Sequence, residues 1–231
     1  MTNRHNNRGG GRRERVAIFI DGSNLYHSLQ ENCGRFDVDF AALGHRLADG
    51  RELLRIYYYN VLRDAERDPQ AYQDQQKFLT ALNNTPYIES RLGSSKMRGQ
   101  VTVEKGIDIM IATDLLKFAW DDLYDVAILV SGDGDFAYAV ETVKNMGKHV
   151  EVAAFTPNLS QELAAAADDR HFFTADYFSD IWSRGRRGPR FPQGNQGRRE
   201  QQQPEQRQEA PQRSHGPRRF LDRFRGGRAD S

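Results

Sequence analysis

Two uninterrupted apolar runs, residues 16–20 (VAIFI) and 126–130 (VAILV), each lead straight into an acidic turn. A strand with one wet face alternates apolar and polar residues. These two runs have no polar positions, so each must be covered on both faces. That requirement favours a parallel sheet held between helices, and the rest of the sequence supplies them. Helical spacing starts at Ser23 and recurs over residues 40–47, 69–82, 107–119, 136–146 and 160–167. Asn158 or Ser160 caps the last of these. Strand-like stretches occupy residues 53–61, 87–92 and 150–155. This alternation predicts an α/β fold: a mostly parallel sheet as the middle of three layers, α/β/α. Strand order does not follow from it.

Composition divides the chain into three. Residues 1–15 carry a charge of +4, residues 184–231 carry +8 and residues 16–183 carry −11, within a net charge of +1. The two ends, 1–14 and 184–231, are rich in Arg and Gly, the second also in Gln and Pro, and both are poor in aliphatic side chains. They cannot bury enough apolar surface to offset the entropy of ordering, so they read as disordered basic arms. Residues 15–183 are long enough for one well-buried core and read as a single domain. Arginine-rich arms suit sequence-tolerant contacts with RNA, and residues 223–228 (RFRGGR) are the clearest such piece. A single cysteine, Cys33, leaves no internal disulfide and matches a reducing, cytoplasmic setting. No stretch reaches the roughly 18 apolar residues of a membrane span, and no membrane partner is expected. Nothing behind the basic N-terminus reads as a signal peptide.

In open α/β sheets, ligands collect beyond the carboxyl ends of the strands. Both apolar runs end there in acids: Asp21-Gly22-Ser23-Asn24 after the first, and Ser131-Gly132-Asp133-Gly134-Asp135 after the second. A third acid, Asp108, opens a predicted helix, where the helix dipole favours it. Either motif alone is also an ordinary turn with a helix cap. Two of them after buried strands of one sheet argue for a site. Converging carboxylates repel one another and shift toward protonation unless a cation joins them. Oxygen-only donors select Mg²⁺ or Mn²⁺. Such an ion activates water and offsets charge on a phosphoryl group. Asp114, six residues beyond Asp108, falls on a different side of the helix and reads as structural or as a support behind the site. Other chemistries fit less well. The six histidines have no metal-ligand spacing, and no phosphate-binding glycine loop follows a strand. A dehalogenase-type phosphatase needs an acid two residues after the first Asp, where this chain has Ser23.

The segments FIDGSNLY (19–26), EKGIDIMIATDLL (104–116) and LVSGDGDFAYAV (129–140) resemble the NYN domain, in particular its LabA-like bacterial branch. That family belongs to the PIN-like nuclease superfamily, and the resemblance spans roughly residues 14–181. It implies a PIN-like, Rossmannoid fold and a Mg²⁺- or Mn²⁺-dependent phosphodiesterase acting on RNA. By motif, Asp21, Asp108 and Asp133 would be metal ligands, and Asp135 a supporting or second-metal catalytic acid. Asn24, with Ser23 beside it, would hold a water or the substrate phosphate. The branch also contains regulatory proteins, so an RNA-binding regulator that keeps the fold without turnover is the alternative.

Further substrate contacts are expected from basic residues near these motifs. Lys105, three residues before Asp108, could touch a non-bridging oxygen. Lys96 and Arg98, in a loop or hairpin over residues 91–105, could guide the nucleic-acid backbone past an acidic body. Of Tyr57, Tyr58 and Tyr59, two are expected in the core, with one open to base stacking. A homodimer is compatible with a PIN-like domain.

Overall fold

The first apolar run forms the middle strand of the sheet. In the computed structural model, which describes residues 12–98 and 101–183, β1 (Arg15–Asp21) lies parallel to both its neighbours. One is β2 (Glu52–Leu62) and the other is β5 (Val126–Val130), the second apolar run. Residues 1–11 of the N-terminal arm and the whole C-terminal arm, 184–231, lie outside the described residues.

After β1, helices α1 (Gly22–Cys33) and α2 (Phe40–Ala48) lead to β2. Helix α3 (Pro69–Asn83) leads to β3 (Ile88–Arg98), which pairs antiparallel with β4 (Val101–Lys105). Helix α4 (Ile107–Trp120) returns the chain to β5. Then come α5 (Ala137–Asn145), β6 (His149–Phe155), α6 (Gln161–Ala166) and β7 (Asp169–Phe173). The sheet order is β4-β3-β2-β1-β5-β6-β7, six parallel strands with one antiparallel edge.

The two-sided burial expected of β1 is met by one helical layer on each face. Val16, Ile18 and Ile20 pack with Leu25 and Leu29 of α1, Leu43 and Leu47 of α2, and Leu82 of α3. Ala17 and Phe19 pack on the other face with Ile111 and Leu115 of α4, Val140 of α5 and Leu163 of α6. The result is the three-layer α/β/α, PIN-like architecture. Among the described residues, no helix is long and apolar enough to cross a membrane.

Several local details differ from the sequence reading. The basic stretch read as a loop or hairpin is a hairpin, and β3 runs on through it to Arg98. Strand β7 was not anticipated. Its sequence, DRHFF, buries only Phe173, because an edge strand needs little apolar surface. Asp133 starts a short 3-10 turn at Gly134–Phe136, so α5 begins one residue later than expected. Ser160, not Asn158, caps α6 by accepting the Leu163 N–H at 3.1 Å. All three consecutive tyrosines are buried, rather than two. Tyr57 stacks on Phe19 at 5.4 Å. Tyr59 donates its hydroxyl to Asp114 at 2.8 Å, and Asp114 is also paired with Arg91 at 3.1 Å. Asp114 is therefore structural, and Tyr57 and Tyr59 have no open face for a base.

Candidate functional site

The topology decides where a site can form. From β1 the chain builds outward through β2, β3 and β4, then returns to place β5 on the opposite side of β1. Strand order reverses between β1 and β5, and the crevice beyond their carboxyl ends is the switch point where such sheets bind ligands. Asp21 is the last residue of β1, and Ser131 immediately follows β5.

Hydrogen bonds join these two turns into one unit. The Asn24 N–H donates to Asp21 Oδ1 at 3.0 Å, so Asp21 both ends its strand and caps α1. The Ser131 hydroxyl donates to Asp21 Oδ2 at 3.4 Å and accepts the Asp133 N–H at 3.2 Å. Asn24 Oδ1 accepts the Gly132 N–H at 3.2 Å. Asp133 Oδ1 in turn accepts the Asp135 N–H at 3.0 Å. Two glycines permit this close assembly. A Cβ on Gly132 would lie 1.9 Å from the Asn158 carbonyl oxygen. A Cβ on Gly22 would lie 2.5 Å from the Tyr58 ring and 2.6 Å from the Tyr59 carbonyl oxygen.

The acids differ in exposure. Asp21 is only 5% exposed. Asp133 is half-buried, while Asp108, in the first turn of α4, and Asp135 are exposed. Burial pushes the Asp21 carboxyl up to about 6, and the Asp108 and Asp133 carboxylates push it the same way. The Asn24 N–H and the Ser131 hydroxyl only partly offset them. Asp21, Asp108 and Asp133 thus share one electrostatic environment. They do not form a closed ligand shell. Among the described residues, no three His, Cys, Asp or Glu side chains stand together in a way that would hold a metal ion. The donor chemistry nevertheless fits a hard divalent cation: the donors are oxygens, and their mutual repulsion is what such an ion relieves.

Ser23 faces the end of β2. Its hydroxyl reaches Asn60 Oδ1 at 3.5 Å, and Asn60 donates to the Tyr58 hydroxyl at 3.0 Å. Ser23 is therefore tied to the end of β2. The side chains of Lys96, Arg98 and Lys105 lie outside the described ones. Two residues at the site escaped the sequence reading. Ser131 bridges Asp21 and Asp133, and its signal was its place in the same acidic turn. Asn60 gave none, because its position depends on the β1–β2 register.

Residues 15–176 match the NYN domain. The chain belongs to the NYN domain family. This NYN protein is LabA-like. It is 30% identical over 162 residues to the Low amplitude and bright protein LabA of Synechococcus elongatus, covering 68% of this chain and 82% of that protein. An uncharacterized protein, y4oD, of Sinorhizobium fredii is 33% identical over 78 residues, covering 34% of this chain and 35% of its own. Among solved structures, a Vibrio parahaemolyticus protein of unknown function is similar with a TM-score of 0.61 and 25% identity. That match covers 73% of this chain and 98% of the other. Family membership places this NYN protein in the PIN-like nuclease superfamily.

Proposed function

We propose that this LabA-like NYN protein is a Mg²⁺- or Mn²⁺-dependent ribonuclease that hydrolyses phosphodiester bonds at the carboxyl ends of β1 and β5. One observation carries the reading. A buried carboxyl, Asp21, is kept near a pKa of about 6 by burial and by two further carboxylates, Asp108 and Asp133. A structural helix cap has no need of two like charges beside it.

Asp21, Asp108 and Asp133 would hold the cation. When bound, the ion polarises the phosphodiester and lowers the pKa of an attacking water. The other residues set geometry. Asn24 and Ser131 fix the two acidic turns against each other. The N-terminal ends of α1 and α4 carry partial positive charge, which favours a phosphate at this edge. Asp135 supports Asp133 from the solvent side through its N–H. Lys96, Arg98 and Lys105 are proposed backbone contacts, the arginine-rich arms are proposed to bind RNA, and the protein is proposed to act in the cytoplasm.

The test is cleavage of end-labelled single-stranded RNA by the full chain with Mn²⁺ or Mg²⁺. EDTA and Asp133→Asn, purified in parallel, are the controls. Metal-dependent cleavage that is lost in Asp133→Asn is the expected result. Cleavage that survives the substitution refutes the assigned site. Salt-sensitive RNA binding without cleavage would instead identify a regulator that kept the fold.

A further inference from the structure

A cavity of about 760 Å³ lies between α1, α3 and the sheet, on the face opposite α4. Its size falls within the range of about 300–1,000 Å³ typical of small-ligand sites. Two groups of aromatic side chains line it. Tyr26 and Phe36 sit with ring centres 4.7 Å apart. Phe40, Tyr58 and Phe78 form a second group, edge to face, with Tyr58 at 5.2 Å from Phe40 and 5.5 Å from Phe78. Of the buried tyrosine triplet, Tyr58 lines this cavity.

The cavity reaches the acidic site at one corner. Gly22, the residue after Asp21, lines it beside Tyr58. The Tyr58 hydroxyl is close enough for the Asp21 charge to act on it, and Asn60 at the end of β2 donates to that hydroxyl at 3.0 Å. The two sites therefore share a wall made of Gly22 and Tyr58.

The rim has three carboxylates that accept hydrogen bonds, two of them paired with a cation. Asp37 is paired with Arg35 at 2.7 Å, Asp74 with Lys77 at 3.4 Å, and Asp39 accepts the Ala42 N–H at 3.0 Å. A carboxylate has about four acceptor positions, so each can take a further donor. Flat aromatic walls with acceptors at the mouth fit a flat heterocycle with amino donors on its edge. Adenine, guanine and cytosine have that chemistry, while uracil lacks an amino group; of the three, the two-ring purines present the larger flat face to a cavity of this volume.

We propose that this cavity takes an unstacked purine of the RNA strand, one position from the phosphodiester at Asp21. The inference rests on the ribonuclease reading and adds the substrate class: single-stranded RNA with a purine next to the cut. A duplex would have to expose that base first.

The test measures binding separately from cleavage. Short 2′-O-methyl oligonucleotides rich in adenosine or in uridine, and an adenosine-containing duplex, are titrated into the full chain by fluorescence anisotropy. The titrations are run at a salt concentration that suppresses binding by the arginine-rich arms, so that the purine-to-uridine ratio reports the cavity. The wild type should favour the adenosine strand over the uridine strand and the duplex by about ten-fold, the size of one lost hydrogen bond to a charged group. Ala81→Trp fills the cavity from an exposed position on α3, and Thr85→Trp fills it from the rim. Each should bring the ratio to about one without lowering the melting temperature, and each should erase purine preference in the cut sites. Asp133→Asn should stop cleavage and keep the ratio.

A wild-type ratio of one overturns the proposal, as does a ratio unchanged in both tryptophan variants. If cleavage then persists and depends on Asp133, the ribonuclease reading stands alone. If the ratio behaves as expected but no RNA is cut, the base site stands and the ribonuclease reading falls. Blocking by Ala81→Trp of an arginine- and phenylalanine-rich peptide, with no base preference, would overturn it in favour of a protein-docking groove.

Discussion

Replacing Asp21 by Asn should make the metal-free protein more stable while abolishing its proposed activity. The Asp21 carboxyl is raised from 3.8 to about 6, first by burial and then by Asp108 and Asp133, so its charged form is disfavoured in the folded state. The sign follows from linkage. A raised acid favours folding fully below pH 3.8, and that contribution is lost as pH rises through about 6. A rise from 3.8 to about 6 corresponds to about 3 kcal/mol at neutral pH. Asn carries no charge and still offers an acceptor to the Asn24 N–H, so the α1 cap survives. For a domain of this size, about 3 kcal/mol moves the melting temperature by roughly 6–12 °C. The assay is thermal unfolding of wild type and Asp21→Asn in EDTA at pH 4, 5.5 and 7.5. The variant should melt higher at pH 7.5, and the gap should close toward pH 4. Mn²⁺ should raise the wild-type melting temperature and leave the variant unchanged. A variant no more stable at pH 7.5, or a gain independent of pH, would refute the reasoning.

Three further outcomes are expected. Gly132→Ala forces a Cβ against the Asn158 carbonyl oxygen, which lies on backbone. It should cost about 3 kcal/mol and displace Asp133, so a variant melting within a degree of wild type would contradict the packing. Tyr59→Phe removes the 2.8 Å hydrogen bond to buried Asp114 and should cost about 1–2 kcal/mol by urea unfolding, with cleavage retained. Acid stability should depend on Glu151. Burial pushes its carboxyl up, but hydrogen bonds from His171 at 2.7 Å and Arg51 at 3.0 Å, with the Arg51 charge, hold it down at about 2. A depressed acid stabilises above its ordinary value of 4.5, and here up to about 3 kcal/mol is lost as pH falls toward 2. Glu151→Gln should therefore melt well below wild type at pH 7 and converge with it near pH 2.

The sequence by itself determined what depends on neighbours along the chain. Two apolar runs with no polar positions required a sheet covered on both faces. The residues at their ends carried the turn and cap chemistry of Asp21, Asp133 and Ser160. These signals are local, since a strand's burial pattern and a helix cap are written within a few residues. The three acid motifs were legible for the same reason, as was the resemblance they carry.

Tertiary structure alone decided which distant residues meet. Asp21 and Ser131 are 110 residues apart, and only the return of the chain to place β5 beside β1 brings them to 3.4 Å. The same packing buries Asp21 and raises its carboxyl, something no acidic motif states in isolation. Strand β7 was illegible because an edge strand needs few apolar residues. Asn60 was illegible because its place depends on register. The cavity beside Gly22 was invisible because it is a gap between α1 and α3, and helical periodicity records what a helix buries against the sheet, not the space it leaves beside its neighbour.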